Sequence, residues 1–67
     1  MPKRLSSRQV ERILREHGFE KVSQQGSHQK FHHAGRQIIV PSNRKDIPIG
    51  TLMSIIRQSG LDSSLFQ

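Results

Sequence analysis

The stretch GSHQKFHHAGRQIIVP, residues 26–41, decides the fold of this 67-residue chain. It opens with Gly26 and Ser27, a pair typical of a tight turn, since glycine removes the side-chain barrier to a sharp reversal. Residues 29–33 then predict a short strand whose one large apolar side chain is Phe31. The rest of the chain is organised around this strand.

Two further strands flank it. Ala34 and Gly35 predict a tight hairpin connection, and residues 36–40, rich in β-branched side chains, predict a strand that Pro41 ends. On the other side, residues 19–25 predict the strand that leads into the first turn. Three consecutive short strands joined by tight turns predict an antiparallel meander.

Residues 7–17 predict a helix before the strands. Ser6 and Gln9 have the spacing of a capping box, and Leu5 and Val10 stand where a hydrophobic staple would close. At the other end, a glycine at position 18 suits the left-handed residue that follows a helix, and the next residue, a phenylalanine, can fold back as in a Schellman motif. The histidine at position 17 then suits a helix C-terminus, where a cation or a capping bond is favourable.

A second helix follows the strands. Pro48 fits its first turn and Gly60 ends it, while Asp62 is placed to cap a last turn that brings Leu65 and Phe66 onto the core. The apolar face predicted for this helix consists of Ile49, Leu52, Met53, Ile55 and Ile56. The order α-β-β-β-α predicts one domain, residues 1–67, of the α+β class. Two helices then cover one face of a three-stranded antiparallel sheet, and the other face stays open.

Composition points to a polyanionic partner. Eleven Lys and Arg against five Asp and Glu give a net charge of +6, which favours nucleic acid over the alternative that the charge only keeps a small protein soluble. A membrane surface fits less well, because neither helix pairs a basic face with a broad apolar one. Three Phe without Trp or Tyr disfavour base stacking as the main mode of binding and leave backbone contact and shape.

Location and cofactors are constrained by what the sequence lacks. There is no cysteine, so disulfides and thiolate metal sites are excluded. No apolar run approaches the roughly 18 residues of a membrane helix, and no signal-peptide core follows the basic start, residues 1–4, which we expect to fray. We expect a cytoplasmic protein without a cofactor. His32 and His33 point to opposite faces of a strand and cannot chelate one metal together.

Alternation along the strand singles out one histidine. If Phe31 faces the helices, then His28, Lys30 and His32 share the open face. Two imidazoles and an ammonium in a row suit a phosphodiester, and histidine is the side chain that both takes and gives a proton near neutral pH. The alternatives are an ordinary exposed turn at Gly26 and the solvated polar face that any one-sided sheet has.

The sequence resembles the HicA family of toxins from bacterial toxin–antitoxin systems. The motifs that carry the resemblance are Gly18-Phe19, Gly26-Ser27-His28, Phe31, Val40-Pro41, Gly50-Thr51-Leu52, residues 55–61 and Phe66. The resemblance implies a fold similar to a double-stranded-RNA-binding domain, RNA cleavage that arrests translation, and neutralisation by a HicB antitoxin. It also implies that His28 is the essential histidine. Family members often carry a second histidine shortly after the strand-ending proline, where this chain has Ser42, Asn43 and Arg44, and Asn43 cannot shuttle a proton.

These observations lead to one hypothesis and two rivals. The hypothesis is a type II toxin that is a metal-independent mRNA endonuclease, with His28 as general base or general acid and His32 as the candidate for the second proton transfer. The predicted RNA contacts are Ser27, Lys30, His32, Arg36, Arg44 and Lys45. The first rival is a non-catalytic double-stranded-RNA-binding module of the same fold. The second, a small DNA-binding regulator, is disfavoured because no helix pair has helix-turn-helix spacing.

Overall fold

The structure is a computed structural model that describes residues 4–67. Its elements, in chain order, are helix α1 (Ser7–Glu16), strands β1 (Glu20–Gln25), β2 (His28–His33) and β3 (Arg36–Pro41), helix α2 (Ile49–Ser59) and a 3₁₀ helix (Ser63–Phe66). The predicted α+β class and the α-β-β-β-α order are confirmed. The prediction that residues 1–4 fray concerns mainly residues 1–3, which lie outside the described residues. No helix within 4–67 is long and apolar enough to cross a membrane.

The sheet is an antiparallel meander with the order β1-β2-β3, so β2 is the central strand. Phe31 pairs with Ile38 across β2 and β3, and both side chains are fully buried. Two strands extend one residue beyond their predicted limits, because His28 pairs with Pro41 at the ends of β2 and β3. A proline is tolerated there because β3 is an edge strand and needs no outward donor.

The predicted start of α1 is confirmed in detail. Ser6 Oγ accepts a hydrogen bond from Gln9 N at 3.2 Å, and Gln9 Oε1 accepts one from Ser6 N at 2.9 Å, which completes the capping box. Leu5 and Val10 are both buried in the core, as a hydrophobic staple requires.

The end of α1 is the predicted Schellman motif, with the helix one residue shorter than expected. His17 is the C-cap, and its Nδ1 donates to Ile13 O at 2.8 Å. Gly18 has a positive φ of 93°, and Phe19 N donates to Leu14 O at 2.9 Å. Phe19 therefore belongs to the C-terminal motif of the helix, which is why β1 begins one residue later than predicted.

Both helices pack on the same face of the sheet. The inward positions of β2 and β3 join apolar side chains of α1 and α2 in one core cluster: Leu5, Val10, Leu14, Phe19, Phe31, Ile38, Val40, Ile47, Leu52, Ile55, Ile56 and Phe66. Strand β1 contributes nothing to it, since every residue of β1 is exposed. Val22, at a bulge between Lys21 and Ser23, is 57% exposed.

Two expectations about apolar side chains were wrong. Met53 is 44% exposed, because the buried stripe of α2 is Leu52, Ile55, Ile56 and Ser59, and Met53 is rotated about 100° from Leu52. Leu65 is 39% exposed while its neighbour Phe66 is fully buried. A 3₁₀ helix has three residues per turn, so adjacent side chains diverge and only one of these two faces the core.

Candidate nucleic-acid interface

The turn before β2 places His28 at one end of the open sheet face. Gly26 has a φ of 56°, in the left-handed region, and a Cβ added there would meet nothing within 4 Å. Ser27 O accepts a hydrogen bond from Ser42 N at 2.7 Å, which ties the turn to the loop after β3. His28 is exposed at the first position of β2. The backbone at His28 is therefore held by the turn and by pairing with Pro41, and the side chain is reachable from solvent.

One buried hydroxyl group fixes the loop that follows β3. Ser7 Oγ donates to Pro41 O at 2.6 Å and accepts from Arg44 N at 3.0 Å, and Ser7 N donates to Arg44 O at 2.9 Å. Both backbone groups of Arg44 are thus bound to the first residue of α1. Ser7 was overlooked as a positioning residue, because a second serine after an N-cap carries no signal of a contact 37 residues away.

These contacts bring His28 and Arg44 to the same depression. We call this depression the His28 cleft; it is lined by Ser27, His28, Ile39, Pro41, Ser42, Arg44 and Thr51. Of the six predicted RNA contacts it unites Ser27 and Arg44 with His28. A depression lined by an arginine and a histidine suits a phosphate, which arginine can bind through two parallel hydrogen bonds.

Thr51, near the start of α2, lines the same cleft. In the sequence it stood out only as part of the Gly50-Thr51-Leu52 motif. Pro48 is the N-cap of α2, and no side chain among residues 4–67 caps this end of the helix. The first amide groups of a helix have no partner within it, and the helix dipole favours an anion there. The N-terminus of α2 thus adds positive potential to the cleft.

The loop after β3 has two more features near the cleft. Asn43, which stands where the family often has a histidine, has a φ of 60°, a conformation that asparagine tolerates better than most residues. Ser42 Oγ is buried and has no hydrogen-bond partner within the described residues. Buried hydroxyl groups usually find a partner in the protein or in water.

The predicted row on the open face is confirmed by burial and pairing. Phe31 is fully buried toward the helices, whereas Lys30 is half-buried and His32 is exposed on the other side. His28 and His32 are four residues apart on one strand, which corresponds to about 13 Å along β2. Both rings therefore face the same side of the sheet without reaching the same phosphodiester.

The two remaining predicted contacts lie apart from the His28 cleft. Lys45 follows Arg44 in the loop and is exposed, but it does not line the cleft. Arg36 begins β3 at the far end of the sheet, where its Nη1 donates to Gln58 O at 3.3 Å. Its guanidinium also covers Gly60, so this arginine closes the C-terminal end of α2.

In the part of the chain that the structure describes, no three His, Cys, Asp or Glu side chains lie close enough together to hold a metal ion. His32 and His33 diverge as predicted: His33 lies on the helix side against Phe19, with ring centroids 5.2 Å apart.

The fold and the site define a small basic α+β domain whose one open sheet face ends in a histidine beside an arginine. The family model described as the HicA toxin of bacterial toxin–antitoxin matches residues 7–61. The chain therefore belongs to the HicA toxin family, as its motifs indicated, and is the toxin component of a toxin–antitoxin pair. No curated protein was found to match it.

Proposed function

We propose that this toxin is an RNA endonuclease that cleaves mRNA at the His28 cleft and so arrests translation in the cytoplasm. The observation that carries the proposal is that His28 and Arg44 line the same solvent-accessible depression. Net charge supports it as well, because a domain of +6 attracts a polyanion over its whole surface.

The proposed reaction uses the RNA's own 2′-hydroxyl as nucleophile. His28 takes the proton of that hydroxyl as its oxygen attacks the adjacent phosphorus, and the bond from phosphorus to the 5′-oxygen of the next nucleotide breaks. The products are a 2′,3′-cyclic phosphate and a 5′-hydroxyl. Water protonates the leaving oxygen, since His32 lies too far along β2 to act on the same bond. Arg44 and the N-terminus of α2 stabilise the negative charge that develops on the phosphate.

The other predicted contacts hold the RNA backbone on either side of the cleaved bond. Ser27 and Arg44 bind nearest to His28, and Lys30 and His32 continue along the open face. Lys45 extends the basic surface from the loop. Arg36 lies at its far end and contributes less to binding, because its Nη1 is bonded to Gln58 O. Such contacts release counterions, so binding weakens linearly on a log–log plot against salt.

Labelled RNA tests the chemistry. The purified protein should shorten it in excess EDTA, because the proposed steps use groups of this chain, the RNA's own 2′-hydroxyl and water, and no metal ion. An otherwise identical RNA with a single 2′-deoxynucleotide at a mapped cleavage site should resist at that site only. Cleavage of the deoxy substrate at that position would refute attack by the 2′-hydroxyl. Retardation without shortening would favour the rival, a non-catalytic RNA-binding module.

We also propose a HicB-type antitoxin as the protein partner. A basic surface with an exposed catalytic histidine is most directly inhibited by acidic groups that cover it. Hydrogen exchange of residues 26–30 and 42–46 should slow when the antitoxin binds, and association should slow with added salt. Protection confined to the outer surfaces of α1 and α2, with His28 as accessible as before, would refute inhibition by direct coverage.

A further inference from the structure

His28 lies between two depressions of different chemistry. The first is the His28 cleft, with its arginine and helix N-terminus. The second lies on the open sheet face next to it and is lined by Ser23, Gln25, His28, Gln29, Lys30 and Ile39. Because His28 and Ile39 line both depressions, a ligand whose phosphate occupies the first has its next chemical group over the second.

Strand pairing fixes which side chains form the second depression. Gln25 is the direct partner of His28 across the β1–β2 turn, and directly opposed residues project to the same face with Cβ atoms roughly 5 Å apart. One row further along, Lys30 pairs with Ser23 on one side and with Ile39 on the other. An amide therefore stands beside the imidazole, next to a row with an apolar side chain at its end.

The composition of this second depression suits a nucleobase better than a phosphate. Ile39 is 46% exposed, so the site offers an apolar surface that a flat ring can cover. Its hydrogen-bonding groups are amides, a hydroxyl, one ammonium and the His28 imidazole, and none of its lining residues is an arginine or a carboxylate. A ring that needs a donor and an acceptor side by side finds both on a glutamine amide.

Of the three glutamines around the turn, Gln25 is the one available to a ligand. The amide of Gln24 is engaged by Lys21 Nζ at 2.6 Å and donates to Gly26 O at 3.4 Å. Gln29 is buried and donates to Glu11 Oε2 at 2.6 Å. Gln25 is exposed, and within residues 4–67 its side chain forms no comparable bond.

We infer that this second depression is a nucleobase subsite and that Gln25 selects adenine at a nucleotide flanking the cleaved bond. Glutamine pairs with adenine through two hydrogen bonds, to N6 and N7, and unstacked bases of single-stranded RNA expose these edges. The inference rests on the proposed RNA cleavage and adds sequence preference to it. The backbone contacts hold any RNA, whereas Gln25 distinguishes one base from the others.

The test is a cleavage-site map on an RNA pool with random sequence. The wild-type protein should enrich adenine at one position next to the cut, and Gln25→Ala should lower that enrichment by roughly fivefold or more while cleavage elsewhere continues. Gln24→Ala is the matched control, because it removes the same amide from the neighbouring residue of β1. It should leave the base distribution unchanged.

Binding provides a second measurement that does not depend on catalysis. With His28→Ala protein, a short RNA that carries one adenine among uracils should bind roughly fivefold more tightly than the all-uracil RNA. Added Gln25→Ala should remove that difference. An identical base distribution for wild type and Gln25→Ala, or equal affinity for the two RNAs, would overturn the subsite and leave the endonuclease standing. Absence of cleavage by the wild type would overturn both.

Discussion

The two ends of strand β2 carry similar side chains in different situations. At the first end, His28 and Arg44, which comes from the loop after β3, are exposed and line one depression. At the other end stand His33 and Arg36, which pair with each other across the β2–β3 hairpin. Each end thus has one histidine and one arginine near a tight turn.

The difference lies in what the helices do at each end. His33 packs on the end of α1, where a Cβ on Gly18 would lie 2.7 Å from His33 Cε1. Arg36 covers the end of α2 in the same way, with a Cβ on Gly60 only 2.6 Å from its Cζ. Both side chains therefore close helix C-termini, whose carbonyl groups favour cations and donors.

At the first end of β2, the nearby parts of both helices are their N-termini. Ser7, at the start of α1, binds the backbone of Arg44 and not its side chain. Thr51, near the start of α2, lines the cleft. Helix N-termini attract anions and leave cationic side chains unbound. Helix C-termini thus contact the exposed histidine and arginine at one end, whereas helix N-termini flank the pair that lines the cleft at the other end.

The largest expected difference between the two ends concerns catalysis. His28→Ala should reduce RNA cleavage by roughly 10²-fold or more and change the free energy of unfolding by less than about 0.5 kcal/mol. His33→Ala should retain cleavage but lose roughly 1 kcal/mol of stability, because it removes the ring contact with Phe19. Rates on labelled RNA and urea unfolding curves measure the two effects. Equal cleavage by the two variants at equal soluble concentration would remove the functional distinction.

Substitutions of two glycines test how tightly the two ends of β2 are packed. Gly18→Ala should destabilise the protein by roughly 2 kcal/mol, since it adds a clash with the His33 ring to the cost of a positive φ. Gly26→Ala should cost about 1 kcal/mol, because its Cβ would meet only solvent. Urea midpoints of both variants test this. A larger loss for Gly26→Ala would mean that the first turn is the more constrained one.

Salt dependence separates the two arginines. Replacing Arg44 and Lys45 together by alanine should lower the log–log slope of RNA binding by roughly 1.4 to 1.8, since each phosphate contact contributes roughly 0.7 to 0.9. Arg36→Ala should lower the slope less than Arg44→Ala does, because its guanidinium is engaged at Gln58, and should lower the unfolding midpoint more. Titrations at several salt concentrations give the slopes. A greater slope change for Arg36→Ala would place the RNA path at the other end of the sheet.

The smallest expected effect is an acid-induced loosening of the 3₁₀ helix Ser63–Phe66, which Asp62 caps. Hydrogen bonds from the backbone and side chain of Ser64 hold the pKa of Asp62 below its usual value of 3.8. The stabilisation is therefore present above that value and is lost as pH falls through the lowered pKa. The Ser64 amide resonance should shift over this acidic range in wild type. In Asp62→Asn, which keeps a capping side chain without a carboxylate, it should stay constant.

Several local features were predictable because they depend on neighbours in sequence. The Ser6–Gln9 capping box and the glycine that ends α1 involve residues at most five apart, so their geometry is written into residue types and spacing. Alternation along β2 likewise predicted that His28 and Lys30 share the face opposite Phe31. Membership of the HicA toxin family followed from motifs spread over nearly the whole chain.

Contacts between distant residues were not predictable in this way. The exposure of all of β1, the outward position of Met53 and the Ser7–Arg44 contacts each depend on where a helix lies over the sheet. Periodicity assigns a residue to a face of its own element, but it does not say how far the opposite element extends over that face.

The sequence by itself determined the elements, their order, the identity of the family and the histidine on the open face, because each of these depends on local propensity, spacing or alternation. Only the tertiary structure decided which histidine and which arginine line one cleft and which lie against helix ends. That decision depends on helix polarity in space. The β2–β3 hairpin meets two helix C-termini at His33 and Arg36, and two helix N-termini lie near His28 and Arg44 at its other end. The field of a helix end acts across a few ångströms of space, and the residues it acts on here come from distant parts of the chain.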